Sequence, residues 1–315
     1  MSHTPVTTVI HSPVKKRAQV SPVIYLLLGS LLLYFMWRDV DLLVTLRQCD
    51  RNLTQDVSAI SVKSLLQPPT IHYLEFPLSE LIELELGLSS FISPNTVSYS
   101  GVLVGLAAAV LICQHRRVTT LAGVLLYKVR DLGDSLDGVL ARGAGVAMLP
   151  TPGTPGYYID GWCDIISETA LIYSVGVIIL RDRDRSWPGM RTRTSKTSQL
   201  TTFLAPLTLN IWGLGLQSIL AAVGWNWTTT QLHLLLESGT RGAGTGLGTP
   251  LAGLVVFLWR LLNPHMLTQA LLVALTLERA GHWVELTRLL VSLPLLVTCA
   301  ASYILVHTLS HQNYS

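Results

Sequence analysis

An all-α polytopic membrane protein is predicted by three features of the sequence. Half of the 315 residues are hydrophobic and only 13% are charged. Several apolar runs approach the roughly twenty residues that a helix needs to cross a bilayer. Two such runs flank a dense group of acids at 131–164. The formal net charge of +3 is too small, and too dispersed over short loops, for a nucleic-acid partner. The four cysteines (Cys49, Cys113, Cys163, Cys299) show no CxxC or other metal-finger spacing and imply no zinc site.

Taken in order, residues 1–20 are polar, with Pro5, Pro13 and the basic cluster Lys15-Lys16-Arg17, and read as a disordered cytosolic tail. The run SPVIYLLLGSLLLYFMW opens a transmembrane segment at 21–38. The following FMWRDVD offers no small residues for cleavage, so the segment reads as an uncleaved signal anchor with its basic end in the cytosol. Residues 39–92 hold no twenty-residue apolar run and read as a lumenal loop. Its later part, SELIELELGLSSF, alternates acids and leucines. That pattern suits an amphipathic helix on the membrane or a short soluble helix packed on the lumenal face.

From 93 to 310 the spans come regularly. Helices are expected at 95–114, 118–138, 158–180, 199–223, 250–277 and 289–308. The fifth contains Arg260 and the break Asn263-Pro264, so it reads as a kinked span or as a surface helix followed by a short span. No soluble domain of any size and no tandem repeat interrupts the series.

Between the second and third of these helices lie Asp134-x-x-Asp137-Gly138-x-x-Ala141-Arg142 and Gly156-x-x-x-Asp160-x-x-x-Asp164. Residues three or four apart share a helix face, so each pair of acids points one way. An Asp at the centre of a membrane helix costs roughly 2.5–3.5 kcal/mol on insertion scales, so four together require compensation. Like charges so placed stay ionised only with a cation or a shared proton between them. A divalent ion is the simplest partner, because Mg²⁺ and Mn²⁺ take hard oxygen ligands and share them with a substrate's phosphates. Glycines let a backbone or nucleotide come close. Arg142 is a fork for phosphate, and Lys128 and Arg130, one or two turns before Asp134, either add positive charge toward a pyrophosphate or pair with Asp131.

This arrangement resembles the signature of the CDP-alcohol phosphotransferases, D-x2-D-G-x2-A-R followed by G-x3-D-x3-D. Every fixed residue is present, and the resemblance covers about 90–310, with Ser93-Pro94-Asn95-Thr96 at the entry to the first core helix. The departure is the spacer from Gly143 to Pro155, thirteen residues where the family has eight or nine. Its LPTPGTPG reads as an irregular loop that bears on the acceptor pocket. The resemblance implies a six-helix core, here preceded by one extra N-terminal transmembrane helix.

It further implies Asp134, Asp137 and Asp160 as ligands of one or two Mn²⁺ or Mg²⁺ ions, with Asp164 as general base and as a further ligand. Gly138 and Ala141 would leave room for cytidine or ribose, and Gly156 would let two helices approach. The implied reaction is phosphoryl transfer from a CDP-alcohol to a lipid hydroxyl with release of CMP, carried out by a homodimer.

Basic residues orient the chain. With the tail in the cytosol, thirteen of the 22 Lys and Arg fall on the cytosolic side and six on the other. The sequons at Asn52, Asn226 and Asn313 then all fall on the lumenal side, as does the motif. Most members of the resembled family work on the cytosolic face, and one extra leading helix inverts that. The subgroup this resembles is the invertebrate ceramide phosphoethanolamine synthases, which implies CDP-ethanolamine as donor, ceramide as acceptor and a Golgi membrane. Alternatives are a glycerolipid acceptor such as diacylglycerol and, in another class, a cation-coupled transporter.

Overall fold

The computed structural model describes residues 65–143, 155–186, 209–237 and 249–312, together with individual positions between 23 and 44. The chain divides into two compact units, Met1–Arg38 and Asp39–Ser315. In the first, the described residues are helical, and Leu26, Leu27, Leu33 and Trp37 are exposed. In the second, a π-helical turn at Ile71–Glu75 leads into α1 (Phe76–Leu86). Then come α2 (Pro94–Cys113), α3 (Arg117–Gly143), α4 (Pro155–Ser186) and α5 (Leu209–Glu237). The last four are α6 (Pro250–Leu262), α7 (Pro264–Thr276), α8 (Ala280–Leu290) and α9 (Ser292–Gln312). No strand occurs among the described residues.

Among the described residues, four helical stretches are long and apolar enough to cross a membrane: Pro94–Cys113, Pro155–Asp182, Pro250–Thr276 and Ser292–His311. Their starts follow local chemistry. Ser93 and Thr249 cap α2 and α6 by accepting the backbone N–H groups of Thr96 and Ala252, each followed by a proline in the first turn. Asn263 both ends α6 and caps α7. Its backbone is extended, as a residue before proline must be, and its side chain accepts the N–H of His265.

The break is therefore real, and it divides two cores. α6 packs Val255, Val256 and Trp259 with Leu66, Ala221, Trp225 and Leu295. α7 packs Leu271, Leu272 and Leu275 with Ile112, Tyr127, Leu171 and Val175. α2 lies along both α3 and α4. At Gly123 the approach is so close that a Cβ would stand 2.7 Å from the Ala108 carbonyl oxygen and from Ile112. A glycine is required there.

Several boundaries differ from expectation. α3 runs to Gly143, because nothing in Gly138–Arg142 breaks a helix once packing supports it. α5 continues to Glu237, beyond the expected end at 223, since Trp225–Gln231 is polar but free of Gly and Pro. The sequon at Asn226 thus lies inside a helix. Asn226 is exposed, while Thr228 is buried and donates to the Gly224 carbonyl. The segment 278–288, read as a loop, is helix α8 after a turn in which Glu278 takes φ 56°. Residues 144–154 of the spacer, 187–208, and the sequons at Asn52 and Asn313 lie outside the described residues.

A buried ion pair that involves none of the motif acids joins α6 to the segment before α1. Arg260, 1% exposed, donates from Nε to Asp39 Oδ2 at 2.9 Å and from Nη2 to Oδ1 at 2.6 Å. Its Nη1 donates to the Leu65 carbonyl at 3.1 Å, and Tyr73 donates to Asp39 at 3.1 Å. Removing one partner of a buried pair costs roughly 3–5 kcal/mol, because the other charge stays inside uncompensated. Asp39→Ala should therefore lower the thermal midpoint of the detergent-purified protein sharply, whereas a midpoint unchanged from wild type would show the pair to be dispensable.

Candidate active site

The four motif acids sit on two neighbouring helices, and the packing brings them together. On α3, Asp134 and Asp137 are one turn apart; on α4, Asp160 and Asp164 are one turn apart. Asp134, Asp137 and Asp160 place a carboxylate oxygen each within 4.8 Å of one another. Asp137 is 8% exposed and receives the Ser98 hydroxyl of α2 at 2.6 Å. Three hard oxygen donors from two helices suit a divalent cation with room for further oxygen ligands.

Asp164 stands differently. Arg130 Nη2 donates to its Oδ1, and the same nitrogen lies 3.7 Å from Asp134 Oδ1. Arg130 is 6% exposed, with Nη1 3.4 Å from Asp131 Oδ1 and its guanidinium 5.8 Å from the Tyr127 ring. Asp164 is 34% exposed, against 19% for Asp134, and so is the more accessible of the two. Asp134, Asp164 and His265 of α7 form a second group within 4.8 Å. His265 arrives because Asn263-Pro264 starts a new helix there.

Lys128 does not join the motif acids. It contacts Glu75, Asp131 Oδ2 at 3.4 Å and Gln269 Oε1 at 2.7 Å, and Gln269 in turn donates to Asp131 at 2.7 Å. This network ties the π-turn, α3 and α7 together and links through Asp131 to Arg130. One turn beyond Asp164 is Glu168, which accepts hydrogen bonds from Thr268 at 2.8 Å and Tyr127 at 3.3 Å. Sequence reading passed over Glu168, although Asp160-x3-Asp164-x3-Glu168 extends the same face by one step. Ser98 stands outside the motif among the polar residues that open α2, while His265, Thr268 and Gln269 share one face of α7 at i, i+3 and i+4, a spacing that could have marked them.

Of the remaining candidates, Gly138 and Ala141 lie in the last turns of α3, half-buried. Arg142 lies in the last turn of the same helix, and its side chain lies outside the described residues. A Cβ at Gly156 would meet only Asn95 Oδ1 of α2, at 3.9 Å, which is ordinary contact. Closer helix approaches fall at Gly123, at Gly224, where a Cβ would stand 2.7 Å from Cys299 Sγ, and at Gly105, where it would stand 3.0 Å from Ser167 Oγ. Tyr99, Val102 and Leu103 of α2 and Ile159, Trp162, Cys163 and Ile166 of α4 line an open apolar groove of about 500 Å³, with Tyr99, Leu103 and Trp162 more than half exposed.

A model of the ceramide phosphoethanolamine synthase family matches residues 44–315. The chain belongs to that family. It is similar to the ceramide phosphoethanolamine synthase of Drosophila melanogaster, with 27% identity over 291 residues that cover 84% of this chain and 71% of the relative. No solved structure matches the chain. The matched range includes all four motif acids, His265 and Glu168, and it also takes in the segment before 90 that the motif resemblance left out.

Among the described residues outside the spans, Glu75 has a raised titration. Burial pushes its carboxyl above the usual range, and the charge of Lys128 partly offsets this. Folded Glu75 therefore holds its proton more tightly than the unfolded chain, where a Glu titrates near ~4.3. Its contribution to stability is complete below that pH and is lost as pH rises through the raised folded value. In a comparison of thermal midpoints, wild type should lose ground to Glu75→Gln as pH rises from ~4 toward neutrality. A gap that stays constant over that range would contradict the shift.

Proposed function

We propose that the protein transfers phosphoethanolamine from CDP-ethanolamine to the primary hydroxyl of ceramide, giving ceramide phosphoethanolamine and CMP. The observation that carries this reading is the convergence of Asp134, Asp137 and Asp160 from two helices in a chain of this family. The hydroxyl oxygen of the acceptor forms a bond to the ethanolamine-bearing phosphorus, and the bond from that phosphorus to the bridging oxygen breaks. CMP leaves with the electron pair. Positioning and neutralisation of charge dominate such displacements.

Asp134, Asp137 and Asp160 fit a divalent ion by their donor chemistry and would hold Mn²⁺ or Mg²⁺. That ion, when bound, would neutralise charge on the pyrophosphate and on the leaving oxygen. The chain's own groups do the rest. Asp164, more exposed than Asp134 and fixed by Arg130, takes the proton from the acceptor hydroxyl. An ion-paired carboxylate is a weak base, so its share comes from placement, on the usual scale of ~10²–10⁴ for positioned proton transfer. Arg142 holds a donor phosphate, and Gly138 and Ala141 leave room for the nucleoside. The open groove between α2 and α4, lined in part by Ile159 and Cys163, the sequence neighbours of Asp160 and Asp164, takes a hydrocarbon chain of the acceptor.

The side of the membrane follows from the basic residues. Their asymmetry supports a cytosolic N-terminus and a lumenal site, and with it a Golgi membrane. Glycosylation at Asn52 would report the same orientation.

The deciding assay supplies CDP-ethanolamine and Mn²⁺ with either ceramide or diacylglycerol to the detergent-purified protein, beside Asp164→Asn. Product with ceramide, reduced by ~10²-fold or more in the variant, is expected. Product with diacylglycerol alone would overturn the sphingolipid assignment, and no product with either would favour a transporter.

Ser98 supports Asp137 from behind, and outer partners of ligands are typically worth ~10–100-fold in metal affinity. Ser98→Ala should raise the Mn²⁺ concentration needed for half-maximal activity by a factor in that range. An unshifted metal dependence would remove Ser98, and with it Asp137, from the metal site.

A further inference from the structure

The motif acids do not form one uniform cluster. Asp134, Asp137 and Asp160 face one another, and Asp137 is supported by a hydroxyl. Asp164 is already in contact with a cation, the Arg130 guanidinium. A second divalent ion would have one natural place, among the oxygens of Asp134 and Asp164 and the imidazole of His265. Arg130 Nη2 occupies that neighbourhood, touching Asp164 Oδ1 and lying 3.7 Å from Asp134 Oδ1.

We propose that Arg130 is the built-in second cation of this site. Each chain then binds one divalent ion, at Asp134, Asp137 and Asp160, and none at Asp164. The proposal rests on the metal-dependent reading given above and specifies its stoichiometry.

Three properties of Arg130 carry it. The side chain is 6% exposed and held on several sides, by Asp164, Asp134, Asp131 and the Tyr127 ring, so it is not a mobile surface group that a metal displaces at no cost. Its position is fixed by helix register, because Arg130 precedes Asp134 by four residues on α3 and must share its face. Its charge is permanent, since a guanidinium does not deprotonate in proteins. A dication placed between Asp134 and Asp164 would therefore adjoin a like charge that cannot be titrated away.

The test counts ions. Full-length protein in lipid nanodiscs is titrated with Mn²⁺, and bound ions are counted by electron paramagnetic resonance, which also reports coupling between neighbouring Mn²⁺ ions. Wild type should bind one ion per chain with an uncoupled spectrum. Arg130→Gln should admit a second ion and produce a coupled spectrum, and Arg130→Lys, which keeps a cation, should remain at one. Asp164→Asn should bind its single ion as tightly as wild type does.

Two coupled ions in the wild type, or loss of the bound ion in Asp164→Asn, would overturn the proposal and leave the metal-dependent reaction standing. No bound Mn²⁺ in any form would overturn both. If Arg130→Gln does not fold, the wild-type count and Asp164→Asn still decide.

Discussion

Negative charge concentrated between apolar helices is the constraint on which this architecture turns. Asp131, Asp134, Asp137, Asp160, Asp164 and Glu168 lie within a few turns of two packed helices, and no low-dielectric interior tolerates that without compensation. The compensation is distributed. Arg130 serves Asp164 and Asp134, Lys128 serves Asp131 and Glu75, Ser98 serves Asp137, and Thr268 and Tyr127 serve Glu168. Elements that contribute nothing to the signature motif are thereby held in register with it.

This explains the unequal legibility of the sequence. The acid pairs were readable because helical spacing is local, and a spacing of three or four fixes a face whatever the rest of the chain does. The meeting of Asp160 with Asp134 and Asp137 depends on α2, α3 and α4 packing side by side, which the motif encodes only as a resemblance. His265, Thr268 and Gln269 depend on α7 starting where it does. The Asn263-Pro264 break was visible, but nothing in the sequence says that the helix after it turns a polar edge toward α3 and α4. Helix α8 was missed because eleven residues of mixed polarity, too short to span, look like a loop until Val284 and Thr287 are seen to be buried.

The break at Asn263 also gives the bundle its division of labour. α6 belongs to the tryptophan-rich core around Trp225 and Trp259, and α7 to the core around Tyr127 that backs the acids. A straight helix over the same residues would continue one face into both cores. Ending and restarting it lets the chain reset its rotation, so that the tryptophan core and the polar edge each receive the side chains that fit.

The contacts made by Asp39, Leu65, Leu66 and Glu75 reach past chemistry to heredity. They insert a stretch that precedes the signature helices into the interior those helices build, filling space beside Trp225 and Trp259 and matching charge on Arg260 and Lys128. A gene fragment encoding only the residues from Ser93 onward would inherit the reactive groups but leave Arg260 without Asp39 and Lys128 without Glu75. A graft of this bundle onto another protein would keep those buried charges matched only by carrying the upstream stretch with it, so the packed unit is longer than its motif.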